Sequence, residues 1–327
     1  MPAETGAVSG MRKNREVCCT LETFALLKKY AANGDGFVRM TEEDLNRLRN
    51  VLVEMLADFH RLCEDNHLTY LLTGGSALGA QRDGQIIPWD DDIDVLMPRA
   101  DYEKLAELVE QTYPEKYWVQ NLHTCDRFDL NFAKLRKYGT AYVELYEPAP
   151  DKAGICIDVY PLDAAPDNRL ARVFHGLVDE ALYLAASCVR MHQKKDRLLT
   201  YIKDERLSGI IRFKCFLGKL LLSRKDPRSW YLRCEKWAGR LRRHNTGYLA
   251  VSSGRKHYFG EMYKRERILP PRPIAFAGGM YYAAKDNDYL LRILYGDDYM
   301  TPHKEGQKES HALLALSFET KRSSTNE

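Results

Sequence analysis

The chain has 327 residues, 45% hydrophobic and 29% charged, with a net charge of +3 and a mean hydropathy of −0.47. That length buries a substantial core in one large domain or two moderate ones, and so small a positive charge is by itself no argument for nucleic acid; no nucleic-acid partner is expected. No stretch has the uncharged apolar length of a membrane span, residues 1–20 lack the apolar run of a signal peptide, and none of the eight cysteines forms a zinc-like Cys-x-x-Cys pair; a reduced, cytoplasmic protein is expected.

Residues 1–20 are small and polar, and disorder is expected there. A helix is predicted over 21–32, closed by Asn33-Gly34-Asp35-Gly36. Thr41 and Asp44 form a capping-box variant, and apolar residues then recur at helical spacing from Leu45 to Leu62, which predicts an amphipathic helix over 42–67. Residues 68–72 read as a buried strand, Thr73-Gly74-Gly75-Ser76 as the break after it, and 77–82 as a short helix closed by Asp83-Gly84. The run Ile87-Pro88-Trp89-Asp90-Asp91-Asp92-Ile93-Asp94 leads into a strand at 93–97 that Pro98 ends. A helix at 99–112 follows, then strands at 118–121, 131–138, 141–144 and 155–160, the last ended by Pro161. This order of helices and strands marks an α/β or α+β core.

The pattern turns helical from Asn168 to His244, and over 190–244 there are 17 Lys or Arg against 5 Asp or Glu. Within it, 210–222 is apolar with basic interruptions at Arg212, Lys214 and Lys219. Such a helix either packs on the core with its cations in water or makes a peripheral contact with an anionic membrane. Strands at 248–252 and 280–284 and a helix at 289–295 follow, and 321–327 reads as a frayed tail. There is no internal repeat. The boundaries implied are an N-terminal segment at 1–40, a catalytic core at 41–167, a basic helical region at 168–245 and a part completing the core at 246–327.

The chemistry concentrates in three places. Strand parity puts Asp90, Asp92 and Asp94 on one face and Asp91 on the other. Carboxylates crowded on one face repel unless a cation holds them, and an all-oxygen set suits Mg2+ or Mn2+. Upstream, Gly74 and Gly75 allow close backbone approach at a helix start, where Ser76 is expected to cap the helix and donate to a phosphate, with Arg82 as a phosphate clamp. Downstream, Asp158 shares a strand face with Cys156 inside an apolar run and needs a cation or donor partner. Metal, phosphate donors and a third carboxylate together describe phosphoryl or nucleotidyl transfer.

Three motifs carry a family resemblance. Thr73-Gly74-Gly75-Ser76-Ala77-Leu78-Gly79-Ala80, Ile87-Pro88-Trp89-Asp90-Asp91-Asp92-Ile93-Asp94 and Pro98-Arg99-x-Asp101-Tyr102 resemble the LicD family of phosphocholine transferases, which includes the fukutin-related proteins. The stretches 154–163 and 295–300 resemble that family's second acidic strand and C-terminal motif, so the likeness runs from about Leu68 to about Pro302. One departure is Phe276-Ala277-Gly278, where family members often carry Phe-Glu-Gly.

The resemblance implies an α+β fold: a nucleotidyltransferase-like mixed sheet flanked by helices, with a helical insertion and a C-terminal extension. It implies a CDP-activated alcohol such as CDP-choline as donor, a glycan hydroxyl, free or lipid-linked, as acceptor, and release of CMP at the inner face of the membrane. Asp92, Asp94 and Asp158 would be the metal carboxylates with Asp90 behind them, Gly74, Gly75 and Ser76 would face the donor phosphates, and Lys134 and Arg136 would lie near the nucleotide. A trimethylammonium group would want an aromatic cage, for which Trp89, Tyr142, Tyr146, Tyr160, Tyr281 and Tyr299 are candidates. The other readings are transfer of the nucleotidyl group itself and a silent nucleotide- or glycan-binding module.

Overall fold

The structure is a computed structural model that describes residues 37–145, 147, 152–196, 205–222, 226–301 and 312–319. The expected disordered start, the helix at 21–32 with its closing turn, Tyr146 and the tail at 321–327 lie outside the described residues.

Helix α1 (Glu42–Asp65) forms as its sequence dictates. The Thr41 hydroxyl accepts from the Asp44 amide at 3.1 Å, and the Asp44 carboxylate accepts from the Thr41 amide at 3.0 Å, which completes the capping box. Its apolar stripe, including Leu48, Leu52, Met55 and Phe59, is buried and joins the sheet in one continuous core. Each such side chain contributes roughly 1.5–3 kcal/mol of burial.

The expected mixed sheet flanked by helices is present. Strands β1 (Leu71–Leu72), β2 (Asp94–Pro98), β6 (Cys156–Ala165), β4 (Ala133–Lys137) and β3 (Tyr117–Gln120) lie side by side in that order. The β2–β6 pair is parallel, and β1–β2, β4–β6 and β3–β4 are antiparallel. Helix α2 (Gly74–Arg82) joins β1 to β2, and the helix expected at 99–112 is two pieces, α3 (Arg99–Tyr102) and α4 (Leu105–Thr112).

Strand β6 does not end at Pro161 but runs on to Ala165. On one side its partner β4 stops at Val159, and β7 (Tyr248–Ala250) takes over from Asp163. Pro161 falls in the gap between them, where a missing N–H costs no ladder bond. Strand β8 (Met262–Lys264) pairs with β7. Strand β5 (Ala141–Glu144) pairs with β11 (Leu313–Ser317), a strand absent from the sequence reading although Leu313, Leu314, Ala315 and Leu316 form an apolar run.

The helical region is α5 (Arg169–Gln193), α6 (Glu205–Leu222) and α7 (Pro227–Ala238), with Asn168 capping α5 as the shift in composition implies. Lys214 is buried at 3% exposure, so it is not one of the cations that 210–222 was expected to hold in water or offer to lipid; Arg212 and Lys219 are exposed. Two short helices, α8 (His257–Gly260) and α9 (Arg265–Ile268), flank β8. The hairpin β9 (Arg272–Phe276) and β10 (Gly279–Ala283) turns through Ala277 and Gly278, both at positive φ. Helix α10 (Asn287–Tyr295) ends at Gly296, φ 93°. The described cysteines are buried free thiols, as expected.

Two motifs are joined by one buried ion pair. Arg99 donates through Nε and Nη2 to both carboxylate oxygens of Asp163, each at 2.8 Å, and through Nη1 to Glu235 of α7 at 3.1 Å. Burial works against the Arg99 charge, but Asp163 outweighs it and raises the pKa. Asp101 accepts from the Thr69 amide at 3.1 Å and so ties α3 to the entry of β1. The Pro98-Arg99-x-Asp101-Tyr102 motif is therefore structural. Asp163→Asn removes one charge of a buried pair and is expected to lower stability by about 3–5 kcal/mol. A urea midpoint measures it; Lys104→Ala, which breaks an exposed pair with Asp101, should move the same midpoint by less than about 1 kcal/mol.

Two further carboxyls are buried, Asp179 on α5 and Glu261 at the end of α8 against Gly254 and the Lys256 amide. Burial pushes the pKa of Asp179 up to about 8 and that of Glu261 up to about 7, against smaller lowering by the Ser252 hydroxyl and the Lys256 amide respectively. Both values lie above the unfolded references of 3.8 and 4.5, so the folded state holds more protons between those limits. Stability is then greatest below the unfolded pKa values and falls as pH rises through 7 to 8. Denaturant midpoints taken from about pH 5 to about pH 8.5 should decline, and Asp179→Asn should flatten that decline and raise Tm at the alkaline end by roughly 2–4 °C.

Candidate active site

Strand register builds the centre of the site. Asp94 on β2 lies beside Asp158 on β6, and Lys134 on β4 lies on the other side of Asp158. Residues paired across a ladder project to the same face, so the three side chains form one row. Lys134 Nζ donates to both Asp158 oxygens at 2.9 and 3.2 Å and to Glu144 at 2.9 Å. Burial opposes its charge, yet Asp158, Cys156 and Glu144 hold its pKa well above the ordinary value. Burial pushes the neighbouring Cys156 thiol up to about 12, so it stays protonated at neutral pH.

A pocket opens at the Asp158–Lys134 end of this row, lined by Asp91, Asp92, Lys134, Tyr142, Glu144 and Asp158, with Leu48 and Leu52 of α1 as its apolar wall; Asp94 is not part of that lining. Glu144 was missed in the sequence reading, though it sits two residues from Tyr142 on the same strand face. Asp91 corrects the parity argument. Strand β2 begins at Asp94, so residues 90–93 are loop and alternation does not apply to them. Asp91 is buried in the pocket wall, where it accepts from the Tyr142 hydroxyl at 3.3 Å.

The two glycines form a cradle against the acidic run. Helix α2 starts at Gly74, so the glycines occupy its first turn and not the break before it. Gly74 has φ +55°, and a Cβ there would lie 2.7 Å from the Asp94 carboxylate; a Cβ on Gly75 would collide with the Asp90 carboxylate. Asp90 and Asp94 thus lie against the amide-rich N-terminus of α2, the kind of end that binds anions. Ser76 is not the cap. It lies inside the helix, and its buried Oγ accepts from the Asp94 amide at 3.0 Å, while the Thr73 amide donates to the Asp94 carbonyl at 3.1 Å. These two bonds fasten Asp94 to the glycine turn.

Arg49 of α1 fixes the rest of the loop, a role with no local sequence signal. Its Nε donates to the Asp90 carbonyl at 3.1 Å and its Nη2 to the Ile87 carbonyl at 3.2 Å. Trp89 is half-buried against the core.

Two expected basic residues are elsewhere engaged. Arg82 ends α2, about 12 Å of helix rise from Gly74, and its guanidinium pairs with Asp83 at 3.6 Å. Arg136 is fully buried: Nε donates to Gln120 at 2.8 Å, Nη1 to the Gly154 carbonyl at 2.7 Å and Nη2 to Glu147 at 2.5 Å. It ties β3 and β4 to Glu147 and Gly154 and has no face left for a nucleotide.

Of the aromatic candidates, Tyr142 and Tyr160 border the acidic cluster. Burial and then Asp91 raise the Tyr142 pKa; burial and then Asp94 and Asp158 raise that of Tyr160. Tyr295 joins them, raised by burial, Asp90 and Asp94, and Phe132 stacks on Tyr160 at 4.6 Å. Tyr281 belongs to the core beside Phe276, and Tyr299 donates to Asp288 at 2.7 Å.

The donor set suits a hard cation. The pocket wall carries four carboxyl side chains and one lysine, with no soft ligand but a protonated thiol. Among the described residues no three His, Cys, Asp or Glu side chains converge closely enough to hold an ion alone. The residues fit Mg2+ in the manner usual for it, through one or two carboxylates with other ligands from substrate.

Residues 67–163 match the nucleotidyltransferase domain of the LicD/FKTN/FKRP family, which bears out the resemblance read from the motifs over that stretch. Among curated proteins, the chain is 30% identical over 130 residues to the lipopolysaccharide cholinephosphotransferase LicD of Haemophilus influenzae, covering 39% of this chain and 48% of that protein. It is also 30% identical over 140 residues to an uncharacterized protein of Rickettsia prowazekii, covering 38% of this chain and 52% of that protein. The chain thus spans about half the length of the curated relatives it matches.

Arg49→Met removes two charge-assisted bonds, each worth about 1.5–3 kcal/mol. Amide exchange over 89–93 is expected to rise at least about tenfold, with little change over β6. Unchanged exchange would show that the loop is held by other contacts.

Proposed function

We propose that the chain transfers a phospho-alcohol, with phosphocholine the first choice, from a CDP-activated donor to a glycan hydroxyl and releases CMP. The supporting observation is the row Asp94, Asp158 and Lys134 set against the N-terminus of α2; the similarity to a cholinephosphotransferase directs the choice of alcohol. In this reading the α2 amides receive donor phosphate oxygens beside Asp90 and Asp94. Lys134 meets the charge that grows on the departing CMP phosphate. The acceptor oxygen bonds to the phosphorus that carries choline, the bond from that phosphorus to the CMP oxygen breaks, and the hydroxyl proton passes to a pocket carboxylate, Asp158 by position. A Mg2+ or Mn2+ ion held by Asp92 and Asp94 would neutralise the diphosphate. Tyr160, Tyr295 and Phe132 offer aromatic faces to the trimethylammonium group. The donor is cytoplasmic, so the reaction would run at the inner face of the membrane; among the described residues no helix is long and apolar enough to cross one.

Incubation with CDP-choline, Mg2+ and a glycan acceptor should yield CMP and a phosphocholine-bearing product. A cytidylylated acceptor with free phosphocholine would mean nucleotidyl transfer instead. Asp94→Asn and Asp158→Asn should each cut turnover by at least ~100-fold, and Gly75→Ala, which drives a methyl into Asp90, should do the same with unchanged secondary structure.

A further inference from the structure

The helical region carries two exposed apolar stripes that the catalytic site does not use. On α5, Leu170, Phe174, Leu177 and Leu184 are exposed, Leu170 at 80% and Phe174 at 63%. Their spacing places them on one face at 3.6 residues per turn. On α6, Phe213, Phe216 and Leu220 are exposed at 63%, 58% and 66%, again on one face.

The two stripes look outward in the same direction. Cys188 lies five turns from Leu170 and therefore on the same face of α5, but it is buried. Gly218 of α6 covers it: a Cβ on Gly218 would lie 2.5 Å from the Cys188 carbonyl oxygen. Cys215 Sγ contacts the Met191 carbonyl at 3.3 Å, so the helices run antiparallel. Helix α6 thus lies across the C-terminal end of the α5 stripe, buries Ile211, Lys214, Cys215 and Gly218 against it, and turns Phe213, Phe216 and Leu220 away. The result is a stepped apolar ledge of the kind that marks an interaction surface and not a solvated one.

Charge identifies the partner. Over 190–244 there are 17 Lys or Arg against 5 Asp or Glu, although Arg190 and Lys214 are buried and Arg190 and Lys194 pair with Asp129, so the cations at the ledge itself are the exposed ones. Arg169 adjoins the α5 stripe, and Arg212 and Lys219 flank the α6 stripe; all three are exposed. Trp237 meets Phe174 edge-on at 6.5 Å and carries Arg240 over its ring at 3.9 Å. Aromatic and leucine side chains rimmed by cations, with tryptophan beside arginine at the border, match a lipid–water interface whose headgroups are anionic. We infer that the α5–α6 ledge docks the protein, peripherally, on an anionic lipid surface. Docking is independent of the transfer reading, because it needs neither donor nor acceptor.

The test is co-sedimentation of the full chain with vesicles of equal parts phosphatidylcholine and phosphatidylglycerol, against vesicles of phosphatidylcholine alone. The wild type should bind the mixed vesicles at least about tenfold more tightly. Phe174→Ser with Phe216→Ser should weaken that binding at least about tenfold with an unchanged thermal midpoint. Both side chains are exposed, and Arg212→Glu with Lys219→Glu gives a second pair that should weaken it by a similar factor. Absence of binding to the mixed vesicles, or binding indifferent to both pairs, would overturn the inference. So would a dimer in sedimentation velocity that Phe174→Ser with Phe216→Ser disperses, since a second copy would then cover the ledge.

Discussion

Carboxylates set side by side on adjacent strands repel one another, and the ladder of β6 sets where that repulsion is met. Asp158 has Asp94 beside it on the parallel strand and Lys134 beside it on the antiparallel one. Shifting either pairing by one residue would turn a whole strand face over and separate the charges. The surrounding structure holds that register: the capped helix α1 packs across the sheet, Arg99 clamps the far end of β6 through Asp163, and Arg136 locks β4 to β3, Glu147 and Gly154. Charges that look catalytic in the sequence are thereby divided. Lys134 faces the pocket, and Arg136, two residues along the same strand, is consumed in holding the strand in place.

Much of the fold was legible because local rules agree with the tertiary outcome. Thr41 and Asp44 announced α1, the alternation around Asp158 announced β6, and Asn168 marked where helices take over. The placing of the glycine turn against the acidic run was legible through spacing, and 67–163 is the stretch matched by the family domain.

What stayed hidden depends on distance in sequence. Pro161 reads as a strand end because proline lacks a donor, and only the arrangement of β4 and β7 leaves it a harmless position. Asp91 was set aside by strand parity, but parity fails where the strand has not begun. Ser76 resembled a cap, yet its hydroxyl turns to the Asp94 amide, eighteen residues away in sequence. Arg49, Glu144 and Tyr295 reach the site from α1, β5 and the end of α10, and no local pattern marks that convergence.

The central claim is that the carboxylates at the start of β2, beside the α2 glycines, hold a divalent ion together with a donor diphosphate. Anomalous diffraction from crystals grown with Mn2+ and CDP-choline tests it directly. The expected result is a peak at roughly 2.0–2.2 Å from oxygens of Asp92 and Asp94 and of the donor phosphates, with the diphosphate over Gly74 and Gly75. A bound nucleotide with no peak at those carboxylates, or a peak elsewhere in the molecule, would contradict it.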